Sequence, residues 1–149
     1  MKKILLGILF LTISITMSAQ KYVAVSKPVS KGDVSEVYSS LIKNNIITAL
    51  AASKEYQAID RDVAMTEMMY DLASGVNDTV KKLGSMKAAD YVLITELSTL
   101  GDALFISMRL QDVKTGMIAG MAKEFTEMNP KNVQSACEKL AKQLFGDKK

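Results

Sequence analysis

The stretch Leu104-Phe105-Ile106-Ser107-Met108-Arg109-Leu110-Gln111 alternates without a break. Leu104, Ile106, Met108 and Leu110 fall on one face and Phe105, Ser107, Arg109 and Gln111 on the other, which is the period of a strand. Turn residues bracket it, Gly101-Asp102 before and Lys114-Thr115-Gly116 after. Upstream, Tyr91 to Ser98 opens with four apolar residues in a row, as a strand covered on both faces does. Downstream, Met117 to Phe125 reads as the return strand. Three strands joined by two short turns make an antiparallel meander.

Asn129-Pro130 follows the meander as an N-cap with proline at the first helical position. Val133, Ala136, Cys137, Leu140, Ala141 and Leu144 then recur at helical spacing before Gly146. On the other side of the meander, Tyr22 to Val29 is β-prone and ends at Pro28, which suits a strand terminus. Asp33 and Glu36 have capping-box spacing and open a helix whose buried face holds Tyr38, Leu41, Ile42, Ile46, Ala49 and Leu50. Tyr56 to Asp60 is a short strand. A helix follows through Met65, Met68, Met69 and Leu72, and a shorter one runs from Asn77 through Val80, Leu83 and Met86. The order β-α-β-α(α)-β-β-β-α predicts an α/β (α+β) domain, a three-layer sandwich with a mixed sheet of about five strands.

The N-terminus carries Lys2 and Lys3, an apolar run from Ile4 to Met17, and Ser18-Ala19. This is the three-part layout of a secretory signal peptide, and the apolar run is short of the roughly 20 residues a membrane-spanning helix needs. The reading is a signal peptide over 1–19 and a single domain over 20–149, exported to the periplasm or beyond. Without Lys2 and Lys3, the 19 basic residues become 17 against 16 acidic ones, so electrostatics give no reason to expect nucleic acid as a partner. No cysteine stands near the signal exit, so the product is expected to be soluble, without lipid anchor or membrane insertion. The sole cysteine, Cys137, has no disulfide partner, and its place on an apolar stripe predicts a buried, inert thiol. The chain has no histidine, the commonest general base and metal ligand, and no glycine-rich phosphate loop. Neither enzyme activity, cofactor nor metal is expected.

Several segments occur together in an order that points to one superfamily: Val23-Ala24-Val25, Ile59-Asp60-Arg61, Glu67, Leu83-Gly84, Ala89-Asp90-Tyr91-Val92-Leu93-Ile94, and Leu110-Gln111-Asp112-Val113-Lys114-Thr115-Gly116. In these the chain resembles the CsgG/LpoB-like superfamily, which joins the curli-secretion channel lipoproteins to the lipoprotein activators of penicillin-binding proteins. Its core is similar to the N-terminal domain of TolB. The resemblance implies a role among bacterial envelope proteins, exerted by surface contact, with envelope proteins as partners and a homo-oligomer left open. The better-known members are lipid-tethered, and the channel formers carry membrane-spanning hairpins. On this reading the product is expected to have neither the lipid site nor the spare length.

Two places stand out as candidate contact sites. Asp60-Arg61-Asp62 is the densest charge cluster beside a strand end. Arg61 either pairs locally with Asp62 or Glu67, or forms with Glu67 a partner- or ligand-contacting edge. The face with Phe105, Ser107, Arg109 and Gln111 is either covered by a helix or exposed, and if exposed suits protein contact. A pocket for a small molecule or glycan near Arg61 is the alternative function. Asp60 and Glu67 acting together on a sugar would be the enzymatic one. The ten methionines invite a soft-metal reading, but most fall at positions expected to be buried, where methionine fills gaps. Asn77-Asp78-Thr79 fits a glycosylation pattern.

Overall fold

The structure, a computed structural model, describes residues 19–60 and 89–146. Among these residues the order is β1 (Lys21–Val25), β2 (Val29–Lys31), α1 (Glu36–Ala51), β3 (Tyr56–Asp60), β4 (Tyr91–Leu100), β5 (Ala103–Asp112), β6 (Ile118–Glu127) and α2 (Pro130–Phe145). The signal-peptide stretch, the two helices expected between Met65 and Met86, Arg61, Glu67 and the glycosylation pattern lie outside the described residues.

All six strands form one mixed sheet in the order β3-β1-β4-β5-β6, with β2 also bonded to β4. The expected antiparallel meander is present: β4 pairs with β5 from Tyr91 opposite Asp112 to Leu100 opposite Ala103, and β5 pairs with β6. Gly101 turns the first hairpin with φ 61°, and Gly116 turns the second with φ 72°, conformations that cost glycine little. On the other side β1 lies parallel to both β3 and β4.

The sheet has six strands where about five were expected, because the first strand is broken. Pro28 has no N–H to give a ladder, so pairing stops at Val25 and resumes at Val29, now against Glu96 farther along β4. The expected cap of α1 also moves. Ser35 is the N-cap and its hydroxyl accepts from the Val37 N–H at 3.2 Å, while Asp33 lies outside the helix. The cap of α2 is as read, with the Asn129 side chain accepting from the Asn132 N–H at 2.9 Å and Pro130 at the first turn.

Both helices cover one face of the sheet. Ile42, Ile46 and Leu50 of α1 and Val133, Cys137, Leu140 and Leu144 of α2 pack on Val23, Val25, Leu93, Leu97, Leu104, Ile106 and Met108. Leu104, Ile106 and Met108 have no exposed surface, so the alternation read from β5 is borne out. The Tyr38 hydroxyl donates to the Met128 carbonyl at 2.7 Å, tying α1 to the corner between β6 and α2. The opposite face of the sheet carries a smaller buried cluster of Ala24, Val29, Ala89, Val92 and Ile94. The architecture is a helix-on-sheet sandwich of the α+β class. The helices expected to supply a third layer lie outside the described residues.

Candidate functional site

Beyond the Val92 and Ile94 cluster, the face turned away from α1 and α2 continues across β5 and β6. The ladder places Phe105 opposite Phe125, Ser107 opposite Lys123 and Arg109 opposite Met121. Of the four residues singled out as contact candidates, Phe105 and Arg109 therefore share one face, and both are half-buried. The two phenylalanine rings lie 4.6 Å apart, within the range of favourable aromatic pairs. Arg61 and Glu67 lie outside the described residues, so their edge is not part of this geometry.

Sequence reasoning did not single out the partners contributed by β6. Phe125 is 60% exposed, Met121 52% and Ile118 51%, an apolar row along one side of a ten-residue strand. Met117, in the turn before it, is 69% exposed. These two methionines, expected among the buried ones, point to solvent, because the outer face of β6 has no helix over it among the described residues. Charged groups border the row. Lys123 and Glu127 stand among the apolar side chains of β6, and Lys31 of β2 pairs with Glu96 of β4 at 2.9 Å. Apolar side chains interleaved with an arginine and rimmed by charge make a surface that buries well against another protein.

A second feature lies where β1, β3 and β4 begin. Lys21, Glu55, Tyr56, Tyr91 and Leu144 line an open cleft of about 420 Å³. Lys21 Nζ donates to Glu55 Oε1 at 3.1 Å and stands 5.8 Å from the centre of the Tyr56 ring and 6.0 Å from that of Tyr91. The hydrogen bond to Glu55 first, and then the field of Tyr91, hold Lys21 above the usual ammonium pKa. Burial is the main cause raising Tyr56. A lysine so held is a cation, not a base, so the cleft offers recognition rather than proton transfer.

Cys137 is buried as expected, and burial pushes its thiol up to about 12 against the smaller opposing effect of the neighbouring Asn45. Among the described residues no three histidine, cysteine, aspartate or glutamate side chains come together as a metal site. Asp60, the expected carboxylate of an enzymatic pair, is exposed at the end of β3 and forms an ion pair with Lys43.

The fold is similar to those of LpoB and TolB. No protein-family profile and no curated protein sequence matches the chain. Among solved structures it is similar to the PelC dodecamer from Paraburkholderia phytofirmans, at 13% identity and TM-score 0.63 over 87% of this chain and 90% of that one. It is similar to the LpoB C-terminal domain from Escherichia coli at 17% identity and TM-score 0.55, over 76% of this chain and 87% of that one. It is also similar to TolB from Acinetobacter baumannii at 11% identity and TM-score 0.55, where 85% of this chain covers 28% of the longer protein. At such identities the likeness is one of fold, and it bears out the LpoB and TolB parts of the resemblance read from the sequence.

Proposed function

We propose that this chain is an exported, non-enzymatic protein-interaction module of the bacterial cell envelope, acting by surface contact as the resemblance to penicillin-binding-protein activators and curli-secretion proteins implies. The observation that carries the reading is the outer face of β5 and β6, where Phe105, Arg109, Met121 and Phe125 form one half-exposed apolar and cationic patch. The signal-like N-terminus and the fold shared with LpoB and TolB support an envelope setting. A photoreactive residue at Met121 is expected to crosslink the chain to a second envelope protein in living cells, and the same residue at the exposed Gln134 of α2 is not. Equal products from both positions, or none from Met121, would refute the reading.

The cleft beside Lys21 favours one alternative, a periplasmic small-molecule or glycan-binding domain. Tyrosine faces next to a fixed cation suit a hydroxyl-rich ligand. A ligand that binds only the folded state raises the thermal midpoint with its concentration. No shift with any member of a sugar and metabolite panel would remove that alternative.

A further inference from the structure

We propose that the open edge of β6 pairs with the β6 of a second copy of this chain, antiparallel and centred on Phe125, so that two sheets run on as one. The inference builds on the reading of the β5 and β6 face as a contact surface and names one occupant for its edge.

Over its ten residues β6 is bonded to β5 on one side, and among the described residues no strand pairs with its other side. A bare edge presents a row of N–H and C=O groups, the feature sheet proteins shield unless they use it, and here the Glu127 carbonyl at its end already accepts from the Asn129 N–H at 2.9 Å. The opposite edge is β3, only five residues long. The outward side chains of β6 near its end are Met121, Lys123, Phe125 and Glu127.

Self-pairing that keeps every side chain on its own face must centre on a residue, and charge chooses which. A two-fold axis at Lys123 sets two ammonium groups opposite each other. An axis at Glu124 sets Met121 against Glu127 and Lys123 against Phe125. An axis at Phe125 sets Lys123 against Glu127 of the second copy twice over, with the two Phe125 rings facing at the centre. Only this last register matches opposite charges directly across the ladder, the arrangement that stabilises cross-strand pairs. Lys123 has no ion-pair partner among the described residues, so the position opposite is open. The Asn132 side chain donates to Glu127 at 3.1 Å and holds that carboxylate at the strand end.

A two-fold axis normal to the sheet keeps both outer faces on the same side. The Phe105 and Phe125 rings of each copy, 4.6 Å apart within a chain, then line up as a strip of four rings across the axis. The apolar row of β6, half-exposed in one copy, becomes the middle of a doubled surface. Such an interface is isologous and closes at two copies.

The test is the mass of the purified exported chain by sedimentation and light scattering over a range of concentrations, with no other protein present. The wild type is expected at twice the chain mass. Lys123→Glu and Glu127→Lys each replace two attractions by two repulsions and are expected to raise the dimer dissociation constant about tenfold or more. The double variant K123E/E127K restores opposite charges and is expected to restore the dimer. Phe125→Cys gives a second measure that does not depend on charge: under mild oxidation it forms a covalent dimer, while buried Cys137 stays silent. A wild type that remains monomeric, single swaps that keep the wild-type mass, or absence of the Phe125→Cys crosslink would each overturn the proposal. A monomer that still crosslinks from Met121 to another protein overturns self-pairing and leaves the contact-surface reading standing.

Discussion

Phe105 and Phe125 sit directly opposite each other on β5 and β6, with ring centres 4.6 Å apart, on the face of the sheet that neither α1 nor α2 covers. Their mutual attraction should be separable from their burial. A double-mutant cycle with Phe105→Ala and Phe125→Ala, followed by urea unfolding, is expected to give a coupling of about 0.5–1.5 kcal/mol. Phe125→Ala alone should cost little stability, because most of that ring is already in water, yet it should lose the crosslink from Met121. A large loss of stability from Phe125→Ala would mean the ring belongs to the core.

On the covered face the cost runs the other way. Ile106→Ala removes a side chain with no exposed surface from between the sheet and the two helices, and is expected to destabilise by about 2–5 kcal/mol. Ser107→Ala, one residue on and on the opposite face, should stay within about 0.5 kcal/mol of the wild type. Denaturation midpoints of the pair check the alternation directly.

The start of α1 gives a paired test as well. Ser35→Ala removes the acceptor for the Val37 N–H and is expected to cost about 1 kcal/mol, whereas Asp33→Ala lies outside the helix and should be near neutral. The reverse ranking of thermal midpoints would restore the capping box read from the sequence.

Tyr38→Phe removes one hydroxyl and the 2.7 Å hydrogen bond it donates to Met128. The expected loss is about 1 kcal/mol, since a half-buried carbonyl is left without its partner. Hydrogen exchange should speed up at the corner between β6 and α2 before it does in β4.

Cys137 makes stability depend on alkaline pH. Its folded pKa, about 12, lies above that of an exposed thiol, so between roughly pH 9 and pH 12 the folded state holds a proton that the unfolded state has lost. Stability from this group is complete below pH 9 and falls as pH rises toward 12. Lys21 and Tyr56, both raised, act in the same direction. Cys137→Ala should therefore show a shallower alkaline decline than the wild type in unfolding experiments at stepped pH. Parallel declines would mean the thiol ionises without unfolding. A thiol reagent at pH 8 is expected to react only after denaturant is added.

Much of this molecule is local in origin. The alternation from Leu104 to Gln111, the Asn129-Pro130 start of α2 and the helical spacing from Val133 to Leu144 can be read off the chain, because a strand's period, a cap and an amphipathic stripe each depend on residues a few positions apart. The same holds for the buried thiol of Cys137. The break at Pro28 was half legible. Proline announced an interruption, but that β2 would resume pairing farther along the same neighbour depends on where β4 lies in space.

The candidate surface belongs to the tertiary structure. Counted back from the turn at Gly116, the pairing of Gln111 with Ile118 would put Phe125 opposite Leu104, inside the core. The ladder instead slips by one residue at Leu110, which meets Gly120, and every later residue of β6 changes face. That single irregularity turns Met121 and Phe125 outward beside Arg109 and Phe105, and turns Ala122 in beneath α2. The sequence by itself determined most of the elements and the buried faces of α1, β5 and α2, since those follow from short-range period. Which residues of β6 meet water was decided by register and by the placement of both helices on one side of the sheet, and these arise only when distant segments pack together.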